Sequence, residues 1–574
     1  MSLDAPHLWV VAVMLSGAMN GFAQAQSAGI VTPERPGEAH LRGGSLDVPT
    51  ETAPSSKIVL PAPEEAPGPD RLSSEVRVFV KRIKVSGNTI FSQAELAAVA
   101  APYEGRELDS DALESLRRDL TLYYVTRGYV NSGAVIPDQE VTNGTVEIRI
   151  IEGRLTKIEV SGNSRLRDNY IKKRLRVGNE GVLVLRQLQD RIQLLHQDRL
   201  VKRINAELRP GLAPGEGVLR VQVEEDWPYE LGFSFSNSRS TSVGELYGQL
   251  HAATWNLTGF GDSLSVQYGI TEGLDDAVVY YAAPLSAHDT RLELYYDRSS
   301  SNVVEEPFDA IDIASETETY GVSLSHPMYR TPERQLLGAM VLEKRRSETF
   351  LLGIPFSFSP GTRDGRSDVT ALRFVQEWVD RRTDQVLALR STFSIGIDVF
   401  GATTNGGDLP DGRFFAWLGQ AQWARRLWDG QVLIRSDLQW SADPLLPVEK
   451  FGVGGATSVR GYRENALVRD NAWVASVEFR YPVTRLPIPK LSLGPEDGIV
   501  QLAPFFDFGW TDNVDASTPE PRTLSSVGMG LRWDPHPKFH GELYWGYALK
   551  DLDTGDEGSL QDSGIHFFLN AQVF

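Results

Sequence analysis

Two stretches decide how this chain is read. They are Phe451-Gly452-Val453-Gly454-Gly455-Ala456-Thr457-Ser458-Val459-Arg460-Gly461-Tyr462 and Ala503-Pro504-Phe505-Phe506-Asp507-Phe508-Gly509-Trp510. The first is a glycine-rich loop that carries one guanidinium, a rigid fork of donors suited to a carboxylate in a confined place. The second alternates: Phe506, Phe508 and Trp510 fall on one side of an extended strand, Phe505 and Asp507 on the other. Aromatics outside and a carboxylate inside fit a strand with lipid on one face and a watery lumen on the other.

The same texture runs outward from these stretches. After Trp227-Pro228, Leu264, Val266 and Tyr268 alternate with Ser263, Ser265 and Gln267, and Leu292, Leu294 and Tyr296 with Arg291, Glu293 and Asp297. Ile434, Leu438 and Trp440 oppose Arg435, Asp437 and Gln439; Val477, Phe479 and Tyr481 oppose Glu478 and Arg480. A soluble sandwich with one wet face shares this period. Aromatics near strand ends, charges on the polar side and a final strand ending at Phe574 favour a transmembrane β-barrel of about sixteen antiparallel strands over residues 228–574.

Upstream lies an internal repeat. Ile83-Lys84-Val85-Ser86-Gly87-Asn88 recurs as Ile158-Glu159-Val160-Ser161-Gly162-Asn163, each a strand running into a Gly-Asn turn. Helical spacing follows in the first copy, with Leu113, Leu116, Leu120 and Tyr124 on one face. Two strands close each copy: Val130 to Ile136 and Val146 to Ile151, then Ile204 to Leu208 and Val218 to Val223. The unit is β-α-α-β-β, present at 76–153 and again at 154–227. Residues 26–75 are a Pro-rich extended linker. Residues 1–25 read as a secretory signal, with an apolar run from Leu8 to Leu15 and a cleavage site at Ala23-Gln24-Ala25, although no Lys or Arg precedes the run.

Composition narrows the classes further. Net charge is −19, which argues against nucleic acid as a partner. The chain has no cysteine, so disulfides and thiolate chemistry are excluded. There is no G-x-x-x-x-G-K-[ST] and no H-E-x-x-H, and the nine histidines lack metal spacing. No nucleotide, metal or other cofactor is expected, and no enzymatic activity.

Arg460 and Asp507 could pair inside the lumen and tuck the loop into the pore. The loop could equally be an ordinary extracellular hairpin with unrelated charges. A resemblance bears on this choice. The chain resembles the two-partner secretion transporters, the haemolysin secretion/activation family. The likeness rests on Gly128-Tyr129, Ser132, Pro137-Asp138-Gln139, Gly144 and Glu152-Gly153 in the first repeat, and on Asn205-Ala206-Glu207-Leu208-Arg209-Pro210-Gly211 with Gly215-Glu216-Gly217 in the second. In the barrel it rests on Asn256-Leu257-Thr258-Gly259, Gly261-Asp262, Val459-Arg460-Gly461-Tyr462 and Phe505-Phe506-Asp507.

The resemblance implies two periplasmic POTRA domains before a sixteen-stranded outer-membrane barrel of a Gram-negative bacterium. It implies a lumen loop, Val459 to Tyr462, with Arg460 and Asp507 as an interacting pair and Phe505 beside them. The POTRA domains would capture a large unfolded exoprotein and pass it outward, with outer-membrane lipid as the other partner. An exposed strand edge can accept an extended client by strand addition; Tyr129, Val130, Ser132 and Val135 are the candidate edge. The chain departs from the family in one respect. Members often carry an N-terminal helix that plugs the barrel, whereas Ser27 to Asp70 is Pro-rich with no helical pattern. An outer-membrane assembly factor and a passive porin are the competing readings. Two repeats rather than more count against the first, and tandem periplasmic domains against the second.

Overall fold

The computed structural model describes residues 58–59, 77–552 and 558–573. The expected signal, most of the linker and Phe574 lie outside the described residues. The chain forms two compact units, one of Ala53–Trp227 with Thr258–Gly261, the other including Pro228–Leu257 and Asp262–Phe574.

The first unit holds both copies of the repeat. Strand β1 (Ile58–Val59) comes from the linker. The first copy comprises β2 (Val78–Val80), β3 (Arg82–Ser86), α1 (Gln93–Ala100), β4 (Arg106–Leu108), α2 (Ser110–Val125), β5 (Gly133–Val135) and β6 (Thr145–Ile151). The second comprises β7 (Arg154–Ser161), α3 (Asp168–Arg176), α4 (Leu185–His196), β8 (Val201–Pro210) and β9 (Glu216–Glu225). Each copy sets its last strand in the middle, parallel to β3 or β7 and antiparallel to the second-last, giving the orders β3-β6-β5 and β1-β8-β9-β7, while β2 and β4 pair separately.

Helix α1 starts with a capping box: Ser92 Oγ accepts from the Glu95 amide and the Glu95 carboxylate accepts from the Ser92 amide. Asp109 caps α2 through the Ala112 amide at 2.8 Å. Leu116, Leu120 and Tyr124 of α2 are fully buried against the sheet with Ile148.

The repeated Ser-Gly-Asn has a physical cause. Gly87 and Gly162 lie at φ +82° and +85°, and a Cβ there would sit 2.4 and 2.3 Å from the carbonyl oxygens of Ile150 and Val223. Only glycine fits both the conformation and the close approach. The following Asn88 and Asn163 each donate to the carbonyl three residues on, Phe91 and Leu166, at 2.8 Å. A carboxylate at the end of the adjacent central strand then clamps each turn. Glu152 accepts from the amides of Thr89 and Ile90, and Glu225 from those of Ser164, Arg165 and Leu166.

The strand expected over Val130 to Ile136 is shorter, Gly133–Val135. Two packing demands cut it back. Tyr129 stands edge-on to Phe91 and Tyr124 in an aromatic cluster. Ser132 is buried and accepts a hydrogen bond from the Gly153 amide.

The second unit is a closed antiparallel barrel of sixteen strands. In order these are β10 (Tyr229–Ser236), β11 (Tyr247–Thr254), β12 (Ser263–Ile270), β13 (Leu274–Pro284), β14 (Arg291–Asn302), β15 (Ile313–Arg330) and β16 (Arg334–Leu351). After the two-residue β17 (Ile354–Pro355) in a loop come β18 (Arg366–Arg381), β19 (Gln385–Gly396), β20 (Phe415–Leu427) and β21 (Gly430–Ser441). A small hairpin, β22 (Phe451–Val453) with β23 (Leu467–Arg469), precedes β24 (Asn471–Arg485), β25 (Ile499–Asp512), β26 (Thr523–His536), β27 (Phe539–Ala548) and β28 (Ile565–Gln572). Strand β28 pairs with β10, so the sheet has no free edge and its backbone groups are satisfied without water. Burial is inverted relative to a soluble protein. Leu250, Phe506, Leu543 and Tyr547 are exposed outward, while Asp507, Thr511 and Ser526 are fully buried.

Candidate functional site

The site is built on the chain between β21 and β24. Its base is cinched by Asp470, whose carboxylate accepts from the amides of Leu445 and Val514 and pairs with Lys450 at 3.1 Å. The hairpin β22–β23 then carries the loop inward. Phe451, Val453, Val459, Tyr462 and Leu467 gather with Leu418, Ala472, Val474 and Leu524 in an apolar cluster inside the barrel. Gly454 and Gly455, at φ +116° and +98°, make the tight turn at the end of β22.

Arg460 is 2% exposed, and five side chains hold it. Its Nε and Nη2 donate to the two oxygens of Asp507 at 2.8 and 2.9 Å, a bidentate pairing. Its own amide donates to Asp507 Oδ2 at 3.1 Å. Nη1 donates to Glu478, and Nη2 also to Ser476 Oγ at 3.2 Å. Ser476 donates in turn to Asp507 Oδ1 at 2.6 Å. The guanidinium lies 3.6 Å from the Phe505 ring centroid and 4.7 Å from that of Tyr544, a cation–π contact with each of two rings that themselves pack edge-on. Desolvating a guanidinium is costly without such partners; here two carboxylates and two ring faces supply the replacement for water.

The neighbours fix the loop's path. Val459 is fully buried. Gly461 has φ +92°, and a Cβ on it would meet the Gly546 carbonyl carbon and oxygen at 2.9 Å, so the loop lies directly on β27. The Gly461 amide donates to His566 Nε2 at 3.2 Å. The Tyr462 hydroxyl donates to the carbonyls of Ser525 and Lys550, both at 3.0 Å. Arg463 pairs with Asp562 and with Glu305.

All six lumen residues named from sequence therefore meet in one place: Val459, Arg460, Gly461 and Tyr462 from the loop, Phe505 and Asp507 from β25. Sequence reading missed Glu478, Ser476, Tyr544 and His566. Glu478 was visible as an inward charge through the alternation of Val477, Phe479 and Tyr481. What brings it to Arg460 is strand register: Ser476 stands opposite Asp507, and Glu478 opposite Phe505.

The client-edge candidates part company. Val135 lies on β5, at the sheet's edge, and is exposed. Tyr129 and Ser132 are occupied in packing, as described. Val130 lies in the turn between them, where the neighbouring Gly128 carbonyl accepts from Leu185 of the second repeat at 2.9 Å. The edge reduces to β5 itself.

The description "Haemolysin secretion/activation protein ShlB/FhaC/HecB" matches residues 215–533, more than half of the chain. The chain belongs to this family. Within the haemolysin secretion/activation family the first repeat also matches the ShlB-type POTRA domain, over residues 78–153. The chain is 26% identical over 502 residues to the outer membrane transporter CdiB of Escherichia coli O6:K15:H31, spanning 82% of this chain and 79% of that protein. It is 21% identical over 475 residues to the heme/hemopexin transporter protein HuxB of Haemophilus influenzae, spanning 76% and 77%. The solved structure of CdiB from Escherichia coli has the same fold, with a TM-score of 0.65 at 22% identity, over 90% of this chain and 94% of that one. This family member is an outer-membrane two-partner secretion transporter for an exoprotein, with its POTRA region in the periplasm. The first barrel strand starts from the periplasmic side. Odd-numbered barrel strands thus run outward, and the loop after β21, the eleventh, leaves on the cell-surface side before folding back into the lumen.

Proposed function

We propose that the transporter takes an unfolded exoprotein on its two tandem repeats, divided at 76–153 and 154–227, and passes it through the 228–574 barrel. In this reading the Val459–Tyr462 loop is a latch whose position governs the lumen. The observation that carries it is Arg460, desolvated between Asp507 and Glu478 with its loop lying against β27. A charged group so held has two states: fully paired in place, or hydrated and displaced. Such a group suits a gate better than a fixed strut.

The edge strand β5 is the place for strand addition of the client: Val135 faces solvent there, and an incoming strand would take over the Ala134 amide, which donates to Thr121 Oγ1 at 3.0 Å. No phosphate-binding loop occurs in the sequence, and export would then draw on folding of the client outside the cell rather than on a nucleotide. Outer-membrane lipid would be the only other partner, with no nucleic acid involved.

The test is quantitative proteomics of supernatant and outer membrane, comparing the native strain with one carrying Arg460→Ala. Loss of one large secreted protein, with other barrels unchanged, is expected. Depletion of outer-membrane barrels with an intact supernatant would favour an assembly role instead. An unchanged supernatant would remove the latch.

A further inference from the structure

A second cluster of buried charge lies in the barrel away from Arg460. Glu449, on the single turn Pro447–Glu449 just before β22, sends its carboxylate to the wall. Arg373 Nη2 on β18 donates to its two oxygens at 2.8 and 3.0 Å, and Arg345 Nη1 on β16 lies 3.7 Å away. Arg345 also donates to the Val448 carbonyl. Behind them Glu343 pairs with Arg373 at 2.8 Å and Arg345 at 3.2 Å, and accepts from the Tyr295 hydroxyl. The three charged wall residues and Glu449 are all under 9% exposed. Leu445 and Leu446 before the turn, and Val448 within it, bury against Val369, Ala371, Phe414 and Ala416.

We infer that Glu449 is a second anchor for the lumen loop, holding its root as Arg460 holds its tip. This rests on the latch reading above and adds to it. The two anchors have opposite polarity. At the tip the loop supplies a guanidinium that bridges two wall carboxylates; at the root it supplies a carboxylate that bridges two wall guanidiniums. Strands β16 and β18 are the seventh and eighth of the barrel, whereas Glu478, Asp507 and Tyr544 stand on the twelfth, thirteenth and fifteenth. The loop is thus tied to separate sectors of the wall. Its seating is directional, because neither end can pair at the other's site without placing like charges together. Release of the tip leaves the root in place, so a loop freed at Arg460 stays tethered within the barrel. Full clearance requires both ends to let go.

The experiment is planar-bilayer conductance of the purified full chain, read as the fraction of time in the high-conductance state. The variants are Arg460→Ala, Glu449→Gln, Arg373→Gln and their combinations, and the heat-shifted gel mobility of folded barrels controls for folding. In the Arg460→Ala background, Glu449→Gln is expected to raise the open fraction about tenfold again, the scale of losing a charge-assisted hydrogen bond. Arg373→Gln should reproduce that rise and add little to Glu449→Gln, since each removes the same pair. If Arg460→Ala alone opens the pore fully, or Glu449→Gln changes nothing in its background, the second anchor is overturned and the latch stands. If every variant conducts like the wild type, the latch itself fails and the anchor with it.

Discussion

In the tandem repeats the buried side chains are Leu116, Leu120, Ile148, Ile171 and Leu188; in the barrel they include Asp507, Glu478, Arg373, Thr511 and Ser526. The repeats fold against water and gain by hiding apolar surface. The barrel has a hydrocarbon solvent outside, so its leucines and aromatics face out, and its inward charges must find one another. The lumen loop combines both economies. Phe451, Val453, Val459 and Leu467 give it a small apolar hub of the kind the repeats have, while Arg460 and Glu449 carry the pairing that the wall requires. The difference teaches where motion is affordable. An apolar core loses contacts in proportion to any displacement, whereas a paired charge beside a watery lumen exchanges its partners for hydration.

The comparison can be broken at its strong end first. Leu120→Ala, in the repeat core, is expected to cost about 2–5 kcal/mol, read as faster hydrogen exchange across α2 and β6 in the full-length protein. A loss below about 1 kcal/mol would mean the repeats do not depend on their core as described. Next come two neighbours on β11. Leu250 faces outward and Gln249 inward, so Leu250→Arg should cost about 2–4 kcal/mol near the bilayer midplane and Gln249→Arg under about 1. Denaturant titration of folded-barrel gel mobility measures both. Equal costs would contradict the inverted burial.

Much of this was legible because it is written as period. The Ser-Gly-Asn copies announce two turns that only glycine can make, and Leu116, Leu120 and Tyr124 announce one helix face. Alternation put Phe505 and Asp507 on the inward side of a strand, where the structure has them buried. What alternation cannot state is register. Nothing in Glu478 or Ser476 says which residue of β25 stands opposite, so the second carboxylate on Arg460 stayed hidden. Glu449 was harder still, since it sits in a loop with no period, and its arginines lie more than seventy residues upstream. The overreach at Val130 to Ile136 has the opposite cause. Apolar residues there satisfy a strand pattern, but Tyr129 and Ser132 are claimed by tertiary packing that local sequence does not display.

The smallest effect compares the two repeats with each other. Burial works against ionisation of Glu152, but hydrogen bonds from Thr89, Ile90 and Tyr124 outweigh it and hold the carboxyl below its ordinary range. For Glu225 burial is likewise outweighed, by the amides of Leu166, Arg165 and Ser164 together with the Ser164 hydroxyl. A carboxyl whose pKa is depressed by folding stabilises the fold above its unfolded pKa, and loses that contribution as pH falls through the folded value. Both clamps should therefore be indifferent to pH between neutrality and roughly pH 4.5, and weaken only below it. Glu152→Gln keeps the shape but not the charge, and is expected to cost about 1–2 kcal/mol at neutral pH and progressively less in acid. Hydrogen exchange at Thr89 and Ile90 reads the first clamp, and at Ser164 to Leu166 the second, in one sample. If Glu152→Gln accelerates only the first set, each copy carries its own lock and the repeat is functional as well as structural. If both sets accelerate together, the two copies melt as one body, and the carboxylates serve a shared core rather than separate turns.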